Sequence, residues 1–193
     1  MEVTRNRLVL GKSWVLVALA AWALMGGPVV ASPQESAGLS LDLSSDIEGP
    51  GWEVTITVNL RVPEGVGVGK AVSEITYPGK TLEFIEAIRG LSAEAVEAKV
   101  TAVTKALDGD FSILRVTIAA KEGESIPQGI VADLRFMISE EVLADDTTVP
   151  LINQVSAWSD EIPPNPIESI KGEDGAVTIS SNPPVFACFF YMH

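Results

Sequence analysis

The sequence predicts an all-β protein: a single β-sandwich of the jelly-roll or immunoglobulin-like kind, with about eight or nine strands. Three observations carry this expectation. Short stretches alternate apolar and polar residues with period two, the pattern of a strand that buries one side. Turn chemistry built on Gly, Pro and Asp separates these stretches. The clearest of them, QGIVADLRFMIS at 128–139, sets Ile130, Ala132, Leu134, Phe136 and Ile138 on one face and Asp133, Arg135 and Ser139 on the other. At 193 residues the chain is long enough for one domain with a sizeable core and too short for two ordinary ones.

Residues 1–31 read as a signal peptide. Arg5, Arg7 and Lys12 form a positive start, Trp14–Met25 an apolar run, and Gly26-Gly27-Pro28 breaks it. Val29-Val30-Ala31 then offers small residues for cleavage before Ser32. The apolar run is about a dozen residues, short for a membrane span and right for secretion. The segment 32–37 is a flexible lead-in, and the sandwich is expected over 38–180.

Taken in order, Leu41–Leu43 is a first short strand and Asp46–Gly51 a turn. The stretch WEVTITVNLRV follows, with Val54, Ile56, Val58 and Leu60 alternating with Thr55, Thr57 and Asn59. Pro63–Gly69 is Gly-rich but lacks the Lys-Ser/Thr ending of a phosphate loop, so it reads as a connector. In the strand Lys70–Tyr77, Ser73, Ile75 and Tyr77 share one side while Val72, Glu74 and Thr76 share the other. Thr81–Ile88 has Leu82, Phe84 and Ile88 as its apolar positions, and Gly90 ends it. Ser92–Ala106 fits both helical spacing and period two; its strand neighbours favour an extended conformation. Asp108-Gly109 is a hairpin turn, followed by an inward face of Leu114, Val116, Ile118 and Ala120 with Arg115, Thr117 and Ala119 outward. A polar loop, Lys121–Gln128, leads to the stretch quoted above. Glu140–Thr148 is an acidic loop, and Val149–Val155 and Gly175–Ser180 are further strands around the Pro-rich Ile162–Pro166.

Charge narrows the partners. Of 13 Lys+Arg and 26 Asp+Glu, the signal segment holds three basic residues and one acid, leaving 10 against 25 and a net of −15. Such a surface repels phosphate backbones and anionic membranes, so no nucleic acid is expected, and membrane contact only through the signal segment before cleavage. Cys188 is the one cysteine, which excludes an intrachain disulfide and leaves no Cys at the mature start to take a lipid. His193 is the one histidine, so a Ser or Cys nucleophile has no base and zinc has no ligand set. A carboxylate pair of the glycosidase kind needs a cleft that short-strand sandwiches seldom supply. No catalytic residue and no metal site is therefore expected: Asp108-Gly109-Asp110 and Asp145-Asp146 depart from the EF-hand spacing and read as turn and solvated loop.

Several stretches, in this order, resemble the cohesin domain, the receptor module of cellulosome scaffoldins, within the carbohydrate-binding-module-like sandwich fold. They are VTITVNLRVPEGV, ITYPGKTLEF with Tyr77, Leu82, Glu83 and Phe84 at matching offsets, ILRVTIAA followed by QGIVADLRFMI, and EDGAVTIS. The match covers Gly38–Ser180. Pro78 stands where the family has an Asp, and Ser92–Ala106 has no counterpart. The resemblance implies a secreted, non-catalytic module, extracellular or on the cell surface. In the family, the exposed face of one sheet takes up a dockerin, a small helical module that carries its own calcium and is borne by a secreted enzyme. On the corresponding strands the outward residues here are Val72, Glu74, Arg115, Thr117 and Lys121, a face mixed in charge and without an aromatic anchor. Two other readings stand beside it: a carbohydrate-binding module for polysaccharide, for which Trp52 and Trp158 are the available tryptophans, and a structural or adhesive surface protein. The end of the chain, 181–193, passes from Asn182-Pro183-Pro184 into the apolar VFACFFYMH, which is too short to span a bilayer and reads as the stub of a longer or disturbed end.

Overall fold

Period-two alternation becomes a strand almost everywhere it occurs. The computed structural model describes residues 38–142 and 147–183, so the expected signal peptide (1–31), the lead-in (32–37), Asp145-Asp146 and the tail beyond 183 lie outside the described residues. In chain order the elements are β1 (Ser40–Leu43), β2 (Ser45–Glu48), β3 (Glu53–Arg61), β4 (Lys70–Pro78), β5 (Leu82–Arg89), α1 (Leu91–Ala95), β6 (Lys99–Ala106), β7 (Phe111–Ala119), β8 (Gly129–Ile138), β9 (Thr147–Trp158), β10 (Pro166–Ile167) and β11 (Gly175–Ile179). They form two sheets. One has the order β1-β3-β8-β5; the other runs β2-β11-β9-β4-β7-β6, with β10 on β9. Pairing is antiparallel except between β11 and β2. This is the expected all-β sandwich, with eleven strand segments among the described residues rather than eight or nine.

The core lies between the sheets and uses the inward sets read from the sequence. Val54, Ile56, Val58 and Leu60 of β3 and Leu134, Phe136 and Ile138 of β8 face Ile75 and Tyr77 of β4 and Leu114, Val116 and Ile118 of β7, all buried. Phe136 meets the edges of two rings, Tyr77 at 5.3 Å and Phe84 at 5.6 Å between centroids. Such edge-to-face pairs suit the ring quadrupole.

Three expectations are corrected. Asp46–Glu48 is not a turn but most of β2, held parallel to β11, and the turn is confined to the residues just after it. Ser92–Ala106 is not one extended piece: its start lies in the short helix α1, and only Lys99–Ala106 is strand. The Ser92 hydroxyl donates to the Gln128 carbonyl at 2.8 Å. Ile130 is not a core residue. A bulge in β8 leaves Val131 unpaired between Ala132, opposite Val58, and Ile130, opposite Asn59. The extra residue reverses the facing, so Val131 is buried and Ile130 is 38% exposed. A second bulge between Phe84 and Glu86 does the same to β5: Ala87 turns inward and Ile88 is 44% exposed.

One polar group ties the two sheets together at an edge. Asn153 of β9, buried, accepts from the Ser73 hydroxyl at 2.6 Å through Oδ1, and its Nδ2 donates to the carbonyls of Leu41 at 2.7 Å and Glu173 at 3.2 Å. Its backbone N–H donates to Asp174 Oδ1 at 2.7 Å. Leu41 belongs to the opposite sheet, where the 171–173 segment also runs beside β1: Leu41 N–H donates to Lys171 O at 2.9 Å and Leu43 N–H to Glu173 O at 3.1 Å. On the outside of the four-stranded sheet, Arg135 of β8 bridges Glu53 of β3 and Glu86 of β5, the latter at 2.6 Å.

Candidate functional site

The outer surface of β9-β4-β7-β6 is a regular array, because four antiparallel strands in continuous register place every second residue outward. One row across the strands is Trp158, Lys70, Ala119 and Lys99, and the next is Ser156, Val72, Thr117 and Thr101. Then come Gln154, Glu74, Arg115 and Val103, and after them Ile152, Thr76, Ile113 and Lys105. Phe111, opposite Pro78, extends the array toward the Asp108–Asp110 turn. There Gly109 takes φ 90, the left-handed conformation that a tight hairpin turn needs, and Asp110 pairs with Lys80 at 2.6 Å.

Four of the five residues singled out from the sequence come together in the middle of this face. Val72, Glu74, Arg115 and Thr117, with Lys70, Ser156 and Trp158, line a shallow depression of about 230 Å³. Val72 forms its floor and is nearly buried by its neighbours. Arg115 Nε donates to Glu74 Oε1 at 2.6 Å across the β4–β7 ladder, and the same carboxylate oxygen also takes a second guanidinium nitrogen. The fifth, Lys121, is not on the sheet. It follows β7 in the loop and pairs with Glu97, which lies just after α1 with φ 49. This hydrogen bond and the opposite charge raise the Lys121 pKa and lower that of Glu97. Lys121 lines a separate, larger groove of about 500 Å³ at the end of the sheet, together with Lys70, Trp158, Asp160, Glu161 and Pro164.

The expectation of a face without an aromatic anchor is overturned. Trp158 lies at the junction of the depression and the groove, half-buried, with the Lys70 ammonium 4.6 Å from its ring centre. It escaped the sequence reading because β9 was expected to end at Val155, whereas pairing with β4 carries it to Trp158. Continuing the alternation from Ile152 through Gln154 and Ser156 would have placed Trp158 outward. Val103, Phe111 and Ile152 were also missed, and they are 65%, 50% and 45% exposed on this surface. Among the described residues no cluster of three or more His, Cys, Asp and Glu side chains is placed to hold a metal ion, and no helix is long and apolar enough to cross a membrane.

No protein-family model matches the chain, and no curated protein sequence matches it. Solved structures do, cohesins among them. A cohesin from Clostridium thermocellum, solved as the Coh-OlpA–Doc918 type I cohesin–dockerin complex, superposes with a TM-score of 0.61 at 18% identity, covering 74% of this chain and 99% of its own. The sixth cohesin of scaffoldin B from Acetivibrio cellulolyticus, in complex with a mutant Cel5 dockerin, gives 0.59 at 20% identity, over 75% of this chain and all of that one. A non-cellulosomal cohesin from the archaeon Archaeoglobus fulgidus gives 0.56 at 16% identity, over 75% and 93%. The sandwich is thus cohesin-like in fold across nearly the whole length of these domains.

Proposed function

We propose that this chain is a secreted, non-catalytic binding module that captures a dockerin-like protein on the outer face of β9-β4-β7-β6. The observation that carries the reading is the surface itself. Val103, Phe111 and Ile152 stand open to solvent on one regular sheet face, around a polar centre formed by Arg115, Glu74 and Thr117. Exposed apolar side chains collected on one face suit a docking surface, and the depression within it is lined by an Arg and a Trp, residue types enriched among interface anchors. The dockerin complexes among its structural neighbours give the partner class. The one carboxylate lining the depression, Glu74, is already paired with Arg115, which suits a binding role. Calcium in such a pair belongs to the partner, and the setting is polysaccharide-degrading or cell-surface machinery.

The test is capture of a dockerin panel by the purified domain, in parallel with retention on insoluble cellulose and chitin. Dockerin capture that is abolished by chelator, while the melting temperature of the domain alone is unmoved, is the expected result. Arg115→Ala and Val103→Asp should each weaken it by at least about tenfold, a loss of about 1.4 kcal/mol or more. Both positions are exposed, so the variants should melt as the parent does. Unchanged affinity in both variants removes the face from the proposal. Retention on polysaccharide without dockerin capture makes the module a carbohydrate binder, and neither activity leaves a structural or adhesive role.

A further inference from the structure

The docking face differs in charge from the rest of the molecule. The chain carries a formal net charge of −13. Yet the sixteen outward positions of the four-strand array hold four cations, Lys70, Lys99, Lys105 and Arg115, against one carboxylate, Glu74. Arg115 and Glu74 neutralise each other. Lys70 lies over the Trp158 ring, and Lys99 and Lys105, both exposed, make no ion pair among the described residues. What remains is a triangle of lysines without an ion-pair partner among the described residues, on an acidic body whose carboxylates Glu122, Asp160 and Glu161 line the groove beside Lys70.

We infer that the partner presents an acidic surface to this face and that Lys99 and Lys105, with Lys70, select it. The inference rests on the docking reading above and adds the chemistry of the partner. Lys99 and Lys105 are six residues apart on β6, about 20 Å along the strand. That is the span of about 13 residues of helix, so a helix laid along β6 meets both lysines with carboxylates near its two ends. Lys70 lies two strands in from Lys99, about 10 Å away, within one screening length at moderate salt. Complementary charge of this kind acts mainly on the rate of encounter and on the rejection of wrong partners, while the apolar residues hold the complex once formed.

A protective role competes with this one. β6 is an edge strand, and lysines on edges discourage strand-to-strand aggregation. Glutamate protects an edge equally well but reverses the field, so Lys→Glu substitutions separate the two roles. The experiment measures association of the domain, its Lys99→Glu/Lys105→Glu variant and single variants Lys105→Glu and Lys171→Glu with dockerins ordered by the charge of their helical surfaces. Lys171→Glu makes the same charge change as Lys105→Glu at a position paired with β1, away from the face. Acidic dockerins should bind the parent best. The double variant should lose at least about tenfold in association rate for them at about 0.05 M salt and much less at about 0.5 M, and Lys171→Glu should lose little. Unaltered rates in the double variant, or a preference of the parent for basic dockerins, overturn the inference while leaving docking intact. If the parent captures no dockerin at all, the docking reading falls, and this inference falls with it. Melting curves of each variant confirm that the fold survives.

Discussion

Asn153 concentrates more structural consequence than any other polar side chain among the described residues. Its amide accepts from Ser73 and donates to the carbonyls of Leu41 and Glu173, so truncation strands the buried Ser73 hydroxyl and the Leu41 oxygen at once, while Glu173 O keeps the Leu43 N–H. Each buried polar group left unpaired costs about 1–3 kcal/mol. Asn153→Ala should therefore lower unfolding free energy by about 3 kcal/mol or more, read from urea denaturation midpoints at constant m-value. Tyr77 gives a residue-scale pH dependence. Burial, opposed by hydrogen bonding with Thr104 and Ser112, raises its pKa above the ordinary value of 10.0. Its folded form therefore keeps the phenol proton to higher pH than the unfolded chain does. The associated stability is complete below the ordinary phenol value and is lost as pH climbs through it toward the folded value. Melting temperature should fall in that alkaline window, and Tyr77→Phe should flatten the fall while giving up the hydrogen bonding with Thr104 and Ser112. A melting profile of Tyr77→Phe parallel to that of the parent above pH 10 would assign the loss to other groups.

At the scale of elements, strands announced themselves wherever alternation was uninterrupted, as in β3, β4 and β7, and the inward residues of those three were legible one by one. Bulges were not. A bulge adds one residue to one partner of a ladder, and the sequence of a single strand carries no mark of where its neighbour slips. That is why Ile130 and Ile88, which continue the apolar pattern, finish outside, and why Val131 finishes inside. The helix α1 was hidden for a related reason: five residues are too few to display a period of 3.6. The joint before it depends on Gly90. A Cβ there would lie 2.5 Å from the Ile130 carbonyl oxygen and 2.9 Å from the Ala132 nitrogen, both backbone atoms of the bulged strand. Gly90 N–H also donates to Val131 O at 3.1 Å. Gly90→Ala should push β8 and α1 apart and cost about 1–3 kcal/mol, whereas Gly65→Ala, with open space around it, should be felt only through its positive φ. Differential scanning calorimetry of the two variants distinguishes the contact from the backbone term.

For the whole molecule, the sequence by itself determined the fold class, the inward residue sets of the main strands and the acidity of the chain. All of these depend on composition or on the two-residue period of one strand, which is local information. Four of the five candidate residues were likewise reached by that period, because outward positions on β4 and β7 follow directly from inward ones. Only the tertiary structure decided which strands lie side by side. β9 pairs with β4 across some eighty positions of chain, and that adjacency sets Trp158 beside Lys70, joins Asn153 to Ser73, and leaves Lys121 in a neighbouring groove. It also gathers four cations onto one face of a molecule whose net charge is strongly negative. Local alternation says which way a side chain points; only long-range pairing says what stands next to it, and the proposed docking face is made of neighbours.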